Sequence, residues 1–554
     1  MINPQSHNSS NSRSVIIGLM LFLLFTLTTG TPGQQRRPAQ KTDDSGQYLS
    51  RIQELLQQQK LVEAEESARQ LIAKSPRNAM AHNLLGVILD QQNRGEDAEK
   101  QYRESLKIDS KFVPALANLG VLLARTSRRD QAIETLELVI RLAPRHPQAT
   151  YNLGSLYASK GDYSRAIPLL EHSAGLKPGE DPGADTDLPV LLILTDAYLR
   201  AGETRKAARL IDYLERVAGD NPRVLFTLGL GLAAARDYLR AVDLFEKTNK
   251  LRPQTPEVLY NLGQAYFNLD RLEEAQVALG GAATLRPDDP EALYRFGLVT
   301  SARGQSELAL QVWLKAIELK PVFPECNFMI AEEYLKNRRI VKAVEYYEKA
   351  VSQDSSQLIY QIRYGAALFR RREYDKAMAV FSGASSKFPQ SVDAFYLTGY
   401  AARAAGFFDE AIVALNRAKD LQPDNSDVLA NLGAIFVDRG QYQEAEPILK
   451  KAIELDQKNF PAHYDLGRML VRLKRFDDAV PVLERGAEIN NADPGIHYQL
   501  FTAYNRLRRK DDADKQFALF RQLEDDRKKK EGETGGAATR ETVAPVTRQP
   551  DKKP

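Results

Sequence analysis

The chain has 554 residues and a single cysteine, Cys326. One cysteine excludes an intramolecular disulfide and any zinc site built from several cysteines. Neither sign of charge dominates, because 76 Lys and Arg residues stand against 73 Asp and Glu residues, which leaves a net charge of +3. A nucleic-acid-binding protein usually has a strongly basic domain, so this balance argues against a nucleic-acid partner.

Motifs for catalysis and cofactor binding are also missing. The sequence contains no H-E-x-x-H pair, no G-x-x-x-x-G-K-[ST] loop and no nucleophile elbow. Among the six histidines, His82, His463 and His497 share one position of the repeat described below, where we interpret them as packing residues. The acidic segment 179–187 lacks the spacing of a calcium loop and is interpreted as a solvated loop. We therefore predict no enzyme activity, no catalytic residue, no metal and no cofactor.

A long apolar run lies near the start of the chain. Residues 15–27 read VIIGLMLFLLFTL, follow Arg13 and precede the small residues 28–30. A run of this length is too short to span a bilayer comfortably and is typical of a secretory signal. We interpret residues 1–30 as a signal peptide and expect an exported protein, periplasmic or secreted.

Basic residues after the run leave a second interpretation open. Arg36, Arg37 and Lys41 follow it, and positive charge on that side resists translocation. A retained signal anchor would then hold the protein at the membrane through this segment alone. In both interpretations, residues 31–44 form a flexible linker.

A small residue recurs through the rest of the chain with a period of 34. Ten of fourteen such positions are glycine: Gly86, Gly120, Gly154, Gly229, Gly263, Gly297, Gly365, Gly399, Gly433 and Gly467. The other four are Ile52, Thr195, Ala331 and Phe501. Twelve residues after each position lies an alanine: Ala64, Ala98, Ala132, Ala166, Ala207, Ala241, Ala275, Ala309, Ala343, Ala377, Ala411, Ala445, Ala479 and Ala513. One step is 41 residues long, because it contains the segment 179–187.

The period and its markers predict pairs of helices. A unit of this length holds two helices of about 13 residues and a tight turn. Where two helices cross closely only a small residue fits, which explains the glycine in the first helix and the alanine in the second. Large residues such as Phe245 and Trp313 recur four positions beyond that alanine. Proline, as at Pro287 and Pro321, cannot continue the second helix and so ends it.

These markers resemble the tetratricopeptide repeat, whose pattern is an aromatic or Leu-Gly pair, a downstream Ala and Phe, and then Pro. The resemblance covers residues 45–527 in about fourteen repeats, with the extra loop at 179–187. It implies an all-α fold, a right-handed superhelical α-solenoid of helix hairpins. Residues 528–554 are interpreted as a helix end and a disordered charged tail. We expect the last helix to continue beyond its repeat as a charged cap, because no further repeat covers it.

The repeat also explains a motif that is typical of nucleotide-binding proteins. Gly229, Gly231 and Ala234 follow an apolar run with the spacing G-x-G-x-x-A. Because Gly229 is one of the periodic glycines, we interpret it as a packing residue of a helix and predict no nucleotide cofactor.

Basic residues cluster where the first helix of several repeats should end, as at 338–339, 370–372 and 508–510. Cations at a helix C-terminus compensate the helix dipole. We favour this interpretation over an anion-binding patch.

In the resembling family the first helices line a concave groove, which implies where a partner would bind. We call the recurring small residue of the first helix the packing position. The resemblance implies that the residues six, three and two positions before it, and one, four and five positions after it, face the groove. The predicted partner-binding residues are Asn118, Tyr151, Asn152, Phe226, Tyr260, Asn261, Tyr294, Arg295, Phe328, Arg363, Tyr396, Asn431, Tyr464 and Tyr498. Tyrosine gives broad contact at low entropic cost, and asparagine can both donate to and accept from a peptide backbone. Alternatively, the tyrosines mainly pack helix against helix.

Without a catalytic set, function must lie on a surface. We predict a non-catalytic scaffold that binds a protein or extended peptide in its groove and serves in assembling or organising an envelope or secretion complex. The alternative is an accessory module that presents a polysaccharide or modified peptide to a separate transferase.

Overall fold

The computed structural model of the protein describes residues 45–177, 181–183 and 185–533. The predicted signal segment, the linker and the tail after residue 533 lie outside these residues. The described residues form 28 α-helices and no β-strand. This architecture confirms the predicted all-α solenoid of helix hairpins.

The helices belong to two compact units, divided between Pro178 and Gly179. Unit 1 contains α1 (Ser45–Gln57), α2 (Leu61–Lys74), α3 (Ala79–Gln91), α4 (Gly95–Ile108), α5 (Val113–Arg125), α6 (Arg129–Leu142), α7 (Pro147–Ser159) and α8 (Tyr163–Ser173). Unit 2 begins with α9 (Leu188–Ala201), α10 (Thr204–Ala218), α11 (Pro222–Ala234), α12 (Tyr238–Leu251), α13 (Pro256–Asn268), α14 (Leu272–Leu285), α15 (Pro290–Ala302), α16 (Ser306–Leu319), α17 (Pro324–Lys336) and α18 (Ile340–Gln353). It continues with α19 (Leu358–Arg370), α20 (Tyr374–Lys387), α21 (Val392–Ala405), α22 (Phe408–Leu421), α23 (Ser426–Asp438), α24 (Tyr442–Leu455), α25 (Phe460–Arg472), α26 (Phe476–Ile489), α27 (Pro494–Arg506) and α28 (Lys510–Glu533). Each odd-numbered helix packs on the next even-numbered helix, and each such hairpin is one repeat, numbered 1 to 14 in chain order.

The periodic glycines allow close helix crossings, as the sequence predicts. A Cβ atom added to Gly229 would lie 2.5 Å from the ring of Phe245, and one added to Gly297 would lie 2.2 Å from the indole of Trp313. In both cases the contacted residue lies sixteen positions later, on the second helix of the same repeat. All ten periodic glycines, each within the described residues, meet the equivalent side chain in this way. Glycine is therefore required by the close approach of the two helices.

Every described hairpin turns through one residue in the left-handed conformation. In repeat 9 this residue is Arg338, with φ of +59°. The Arg338 N–H donates to the Leu335 carbonyl at 3.0 Å, and the Arg339 N–H donates to the Tyr334 carbonyl at 2.8 Å. These two bonds satisfy carbonyls that the end of a helix leaves without partners. Only five of these described left-handed positions are glycine: Gly161, Gly202, Gly304, Gly406 and Gly440.

The turn geometry corrects the interpretation of several basic residues as partners of the helix dipole. Arg338 already lies beyond α17, and Arg339 is the N-cap of α18, where the dipole disfavours a cation. A carboxylate of the preceding repeat offsets this charge, since Arg339 pairs with Glu307 at 3.2 Å. Arg94 occupies the same place in repeat 2 and pairs with Glu65 at 3.2 Å. These arginines therefore connect successive repeats.

The last helix is longer than its equivalents, which confirms that it continues past the repeat boundary. α28 has 24 residues, whereas α24 and α26 have 14 each. Its aromatic side chains pack on α27, with ring centroids 4.9 Å apart for Phe501 and Phe517 and 5.4 Å apart for Tyr498 and Phe520. Phe517 and Tyr498 remain partly exposed at this end of the repeats.

The extra loop is attached to the second helix of repeat 5. Asp181 forms ion pairs with Arg216 at 2.7 Å and Arg209 at 3.5 Å, and the Tyr213 hydroxyl donates to the Gly183 carbonyl at 3.4 Å. No group of His, Cys, Asp or Glu in the described part of the chain has a metal-binding arrangement. Among the helices described, none has the length and apolar character needed to cross a bilayer.

Candidate partner-binding surface

The first helices of neighbouring repeats touch one another within each unit. α5 contacts α7 in unit 1, and α11 contacts α13, α13 contacts α15, α23 contacts α25, and α25 contacts α27 in unit 2. Their outward residues therefore form a continuous face in these stretches. We call this face the first-helix surface. It consists of the residues three and two positions before the packing position and one, four and five positions after it.

An aromatic row follows the first-helix surface through repeats 6 to 9 of unit 2. Phe226, Tyr260, Tyr294 and Phe328 occupy the same position in four successive repeats, and all are half-buried. Their buried edges pack on other rings, for example Phe328 on Tyr360 with centroids 4.7 Å apart. Burial raises the pKa of Tyr294 to about 12 and also raises the pKa of Tyr260. The row therefore combines packing with a remaining exposed edge.

Arg295 places a positive charge on this aromatic row. Its guanidinium lies over the Tyr294 ring, 5.6 Å from the centroid. The Nε atom is buried without a hydrogen-bond partner, and no carboxylate of the described residues forms an ion pair with Arg295. A guanidinium that lies over an aromatic ring and forms no ion pair retains attraction for an anionic group.

Two apolar side chains are exposed next to this row. Leu230 on α11 is 38% exposed and Phe267 on α13 is 36% exposed. α11 and α13 contact each other, so both residues belong to the same part of the first-helix surface. The sequence analysis assigned both repeat positions to the groove but selected partner-binding residues only at the positions three and two before the packing glycine. Large apolar residues one and four positions after that glycine are the signal that could have found them.

The predicted asparagines use part of their hydrogen-bonding capacity within the protein. Asn118 donates to the side chain of Asn83 at 3.0 Å, which joins repeats 3 and 2. Asn152 and Asn261 each donate to the carbonyl four residues earlier, at 2.7 and 2.8 Å. Asn152 lies beside the half-buried Tyr151 in unit 1. In all of these bonds the asparagine amide nitrogen is the donor. The side-chain oxygens of Asn118, Asn152 and Asn261 are therefore left to accept hydrogen bonds from a partner.

The remaining predicted residues have different surroundings. Arg363 is exposed, and its Nε lies 3.6 Å from Glu332 of the preceding repeat. Tyr464 is half-buried between Phe460 and Arg468, with a ring-to-ring distance of 6.1 Å and a cation distance of 5.9 Å. Tyr498 lies at the end of the repeats and is the most exposed of the predicted aromatic residues in the described chain. These residues lie outside the stretch around Arg295.

Tyr396 and Asn431 are buried against each other. The Asn431 amide donates to the Tyr396 hydroxyl at 2.9 Å and to the Asp427 carbonyl at 3.0 Å. Both side chains expose less than a tenth of their surface, and burial raises the pKa of Tyr396. For these two residues the predicted partner contact would require their neighbours to move.

The fold and this surface define an all-α helix-hairpin repeat protein. The Tetratricopeptide repeat family is matched by one profile over residues 49–111, 118–181, 194–256, 328–388 and 365–426, which is more than half of the chain. A second profile with the same description matches residues 232–296, 402–466 and 436–500. The chain belongs to the tetratricopeptide repeat family. Repeats of this family generally mediate protein–protein interaction and scaffolding, and its members are typically non-catalytic.

Three solved structures are similar to this chain. Yeast Tom70 is 16% identical, with 78% of this chain and 96% of that chain covered and a TM-score of 0.30. Cut9–Hcn1 of the APC/C is 13% identical, with 77% and 97% covered and a TM-score of 0.29. MamA is 26% identical, with 29% and 95% covered and a TM-score of 0.28. No curated protein matches the sequence.

Proposed function

We propose that this protein is a non-catalytic scaffold that binds a protein or an extended peptide on the first-helix surface of repeats 6 to 8. The observation that carries the proposal is the combination of exposed Leu230 and Phe267 with Arg295, which forms no ion pair with a described residue. Exposed apolar side chains favour contact with apolar side chains of a partner. The Arg295 guanidinium has no ion-pair partner among the described residues, and it can bind a carboxylate of a partner with two hydrogen bonds. An extended segment with an apolar and an acidic residue suits this surface.

A pull-down from an envelope extract tests this proposal. A variant with Leu230→Ser, Phe267→Ser and Arg295→Glu should lose the proteins that the parent retains. The matched control is Val277→Ser with Val413→Ser, because these valines are highly exposed on the second helices α14 and α22. The control should retain the same proteins as the parent. Equal recovery by all three proteins would show that the surface of repeats 6 to 8 is not the binding site.

Polysaccharide binding is the second candidate function, as an accessory module for a separate transferase. The partly exposed aromatic row favours it, because sugar rings stack on aromatic faces. A glycan array probed with the same parent and variant separates the two functions. Binding to glycans alone, with no protein recovered from the extract, would overturn the protein-scaffold proposal.

We also propose that the protein works outside the cytoplasm, in assembling or organising an envelope or secretion complex. The support is the apolar run at residues 15–27, which is typical of a signal sequence. Cell fractionation with N-terminal sequencing tests this. Removal of about the first 30 residues, as expected for a cleaved signal, supports export. An intact N-terminus in the membrane fraction supports the anchor, and an intact N-terminus in the cytoplasmic fraction contradicts both.

A further inference from the structure

The first-helix surface is covered at repeat 12. Ala430, Ala434 and Val437 on α23 are 1%, 1% and 0% exposed. Ala434 occupies the repeat position of Leu230, and Val437 occupies that of Phe267, both of which are more than one third exposed. The side chains on α23 are small or medium in size, so their own bulk does not hide them. The neighbouring first helices must cover them.

A chain of charged residues connects those neighbours across α23. Arg403 on α21 pairs with Asp438, the last residue of α23, at 2.9 Å. Arg468 on α25 pairs with the same Asp438 at 2.8 Å and with Asp465 at 2.6 Å. Arg472, also on α25, donates to the Val437 carbonyl at 3.1 Å. We call Arg403, Asp438, Arg468 and Asp465 the arginine–aspartate bridge.

The bridge is costly to bury. Asp465 and Arg468 are largely buried, and burial raises the pKa of Asp465 in spite of the adjacent Arg468. The Nε atom of Arg468 is buried and has no hydrogen-bond partner. Buried ion pairs of this kind often stabilise a fold less than apolar side chains of the same volume. A contribution to overall stability is therefore a poor explanation for the bridge, whereas fixing the position of α21 and α25 relative to α23 explains its geometry.

We propose that the arginine–aspartate bridge is a latch that keeps the first-helix surface closed at repeat 12. Asp438 forms ion pairs with Arg403 on α21 and with Arg468 on α25, so its loss would remove both ion pairs at once and weaken the attachment of α21 and α25 to α23. Opening would expose the apolar strip of Ala430, Ala434 and Val437. A partner bound along repeats 6 to 8 could then continue over repeat 12 only after the latch opens. This consequence rests on the proposed function.

Thiol labelling tests the latch without any partner. Ala434→Cys places a reactive group at the covered position on α23, and Leu230→Cys places one at the equivalent open position on α11. Cys326 serves as an internal monitor of global unfolding, because it is fully buried and burial raises the pKa of its thiol. Reaction with a maleimide reagent is followed at each cysteine by peptide mass spectrometry.

We expect Leu230→Cys to react promptly and Ala434→Cys to react at least about 100-fold more slowly, because reaction at a covered site requires local opening. Adding Asp438→Asn should bring the Ala434→Cys rate to within about tenfold of the Leu230→Cys rate while Cys326 stays unreactive. If Asp438→Asn unfolds the chain, Cys326 will react, and Arg403→Lys then provides a milder opening of one side.

Two results would overturn the latch. Ala434→Cys could react as fast as Leu230→Cys in the otherwise unchanged protein, which would show that the surface is open. It could also stay equally protected after the bridge is broken, which would show that packing alone covers α23. Neither result depends on whether a partner binds to repeats 6 to 8, so failure of the latch and failure of the proposed function are separate outcomes.

Discussion

At the scale of single residues, the packing position and the residue sixteen positions later are chosen together. Where the first is glycine, the second is large, as in Gly297 with Trp313. Repeat 1 reverses the sizes, because Ile52 occupies the packing position and Ala68 follows sixteen residues later, and both are fully buried. Repeat 9 keeps a small methyl group at Ala331. In these repeats the size of one residue in the crossing thus limits the size of the other.

Two glycine substitutions should have opposite effects on stability. Gly297→Ala would place a methyl group against the Trp313 ring and should destabilise the protein by about 1–3 kcal/mol through overpacking. Gly383→Ala is the matched control, since Gly383 lies inside α20 with no atom within 4 Å of the added carbon. It should stabilise the protein by about 0.5–1 kcal/mol, because alanine favours helix over glycine. Urea unfolding measures both, and equal shifts of the same sign would contradict the packing account.

The left-handed turn residues make a second prediction. Arg372 has φ of +62°, is exposed, and has no ion pair among the described contacts. Arg372→Gly should stabilise the protein by about 0.5–1 kcal/mol, because the cost of the left-handed conformation exceeds the extra freedom of glycine in the unfolded chain. Gly440→Arg is the reciprocal change in repeat 12, where φ is +74°, and should lower the unfolding midpoint. A higher midpoint for Gly440→Arg would show that the turn carries no such strain.

At the scale of helices, α28 differs from the other second helices because no first helix follows it within the described residues. Its first half keeps Phe517 and Phe520 against α27, and its second half carries an unbroken run of charged residues from Glu524 to Glu531. A charged extension keeps the end of a repeat array soluble, because the outer face meets water.

Truncation separates the two halves of α28. Removing residues 531–554 should leave the melting temperature nearly unchanged, because the residues that pack on α27 remain. Removing residues 511–554 should expose the apolar side of α27, including the buried Leu500 and Ala503, and cause aggregation. Light scattering and thermal melts distinguish these outcomes. A soluble and equally stable protein after the longer deletion would disprove the capping role of α28.

At the scale of the whole molecule, stability is shared among neighbouring repeats, and buried charge makes it depend on pH. Asp465 has a pKa raised by burial above its usual value of 3.8. A carboxyl group with a higher pKa in the folded state holds its proton more tightly there. Its stabilising contribution is therefore complete below the unfolded pKa and is lost as the pH rises through the folded pKa.

Asp465→Asn makes this dependence measurable. The free energy of unfolding of the parent minus that of Asp465→Asn should fall as the pH rises from about 4 towards neutrality. Glu446→Gln is the control with the opposite sign, since hydrogen bonds from Lys450 and Arg475 lower the pKa of Glu446 below 4.5. The contribution of Glu446 is present above that value and is lost as the pH falls. Urea midpoints from about pH 2.5 to pH 7 cover both transitions, and parallel curves for the two variants would contradict the assignment.

The period of the sequence was sufficient to predict the hairpins. Gly229 and its thirteen equivalents follow one another every 34 residues apart from one insertion, and the helices of the described chain keep that register. The prediction succeeds because the decisive contact, between Gly229 and Phe245, is made within one repeat. Local spacing then determines both which residues meet and how large they can be.

Tertiary structure determined the side-chain contacts between neighbouring repeats. Tyr396 and Asn431 carry the same residue types as exposed positions elsewhere, yet they bury each other, and Asp438 joins Arg403 to Arg468. These contacts join residues 30 to 35 positions apart in different repeats. The repeat pattern alone does not specify them, because they depend on how closely one first helix lies against the next. The exposure of Leu230 and the coverage of Ala434 were decided in the same way, by the side chains that adjacent first helices place beside them.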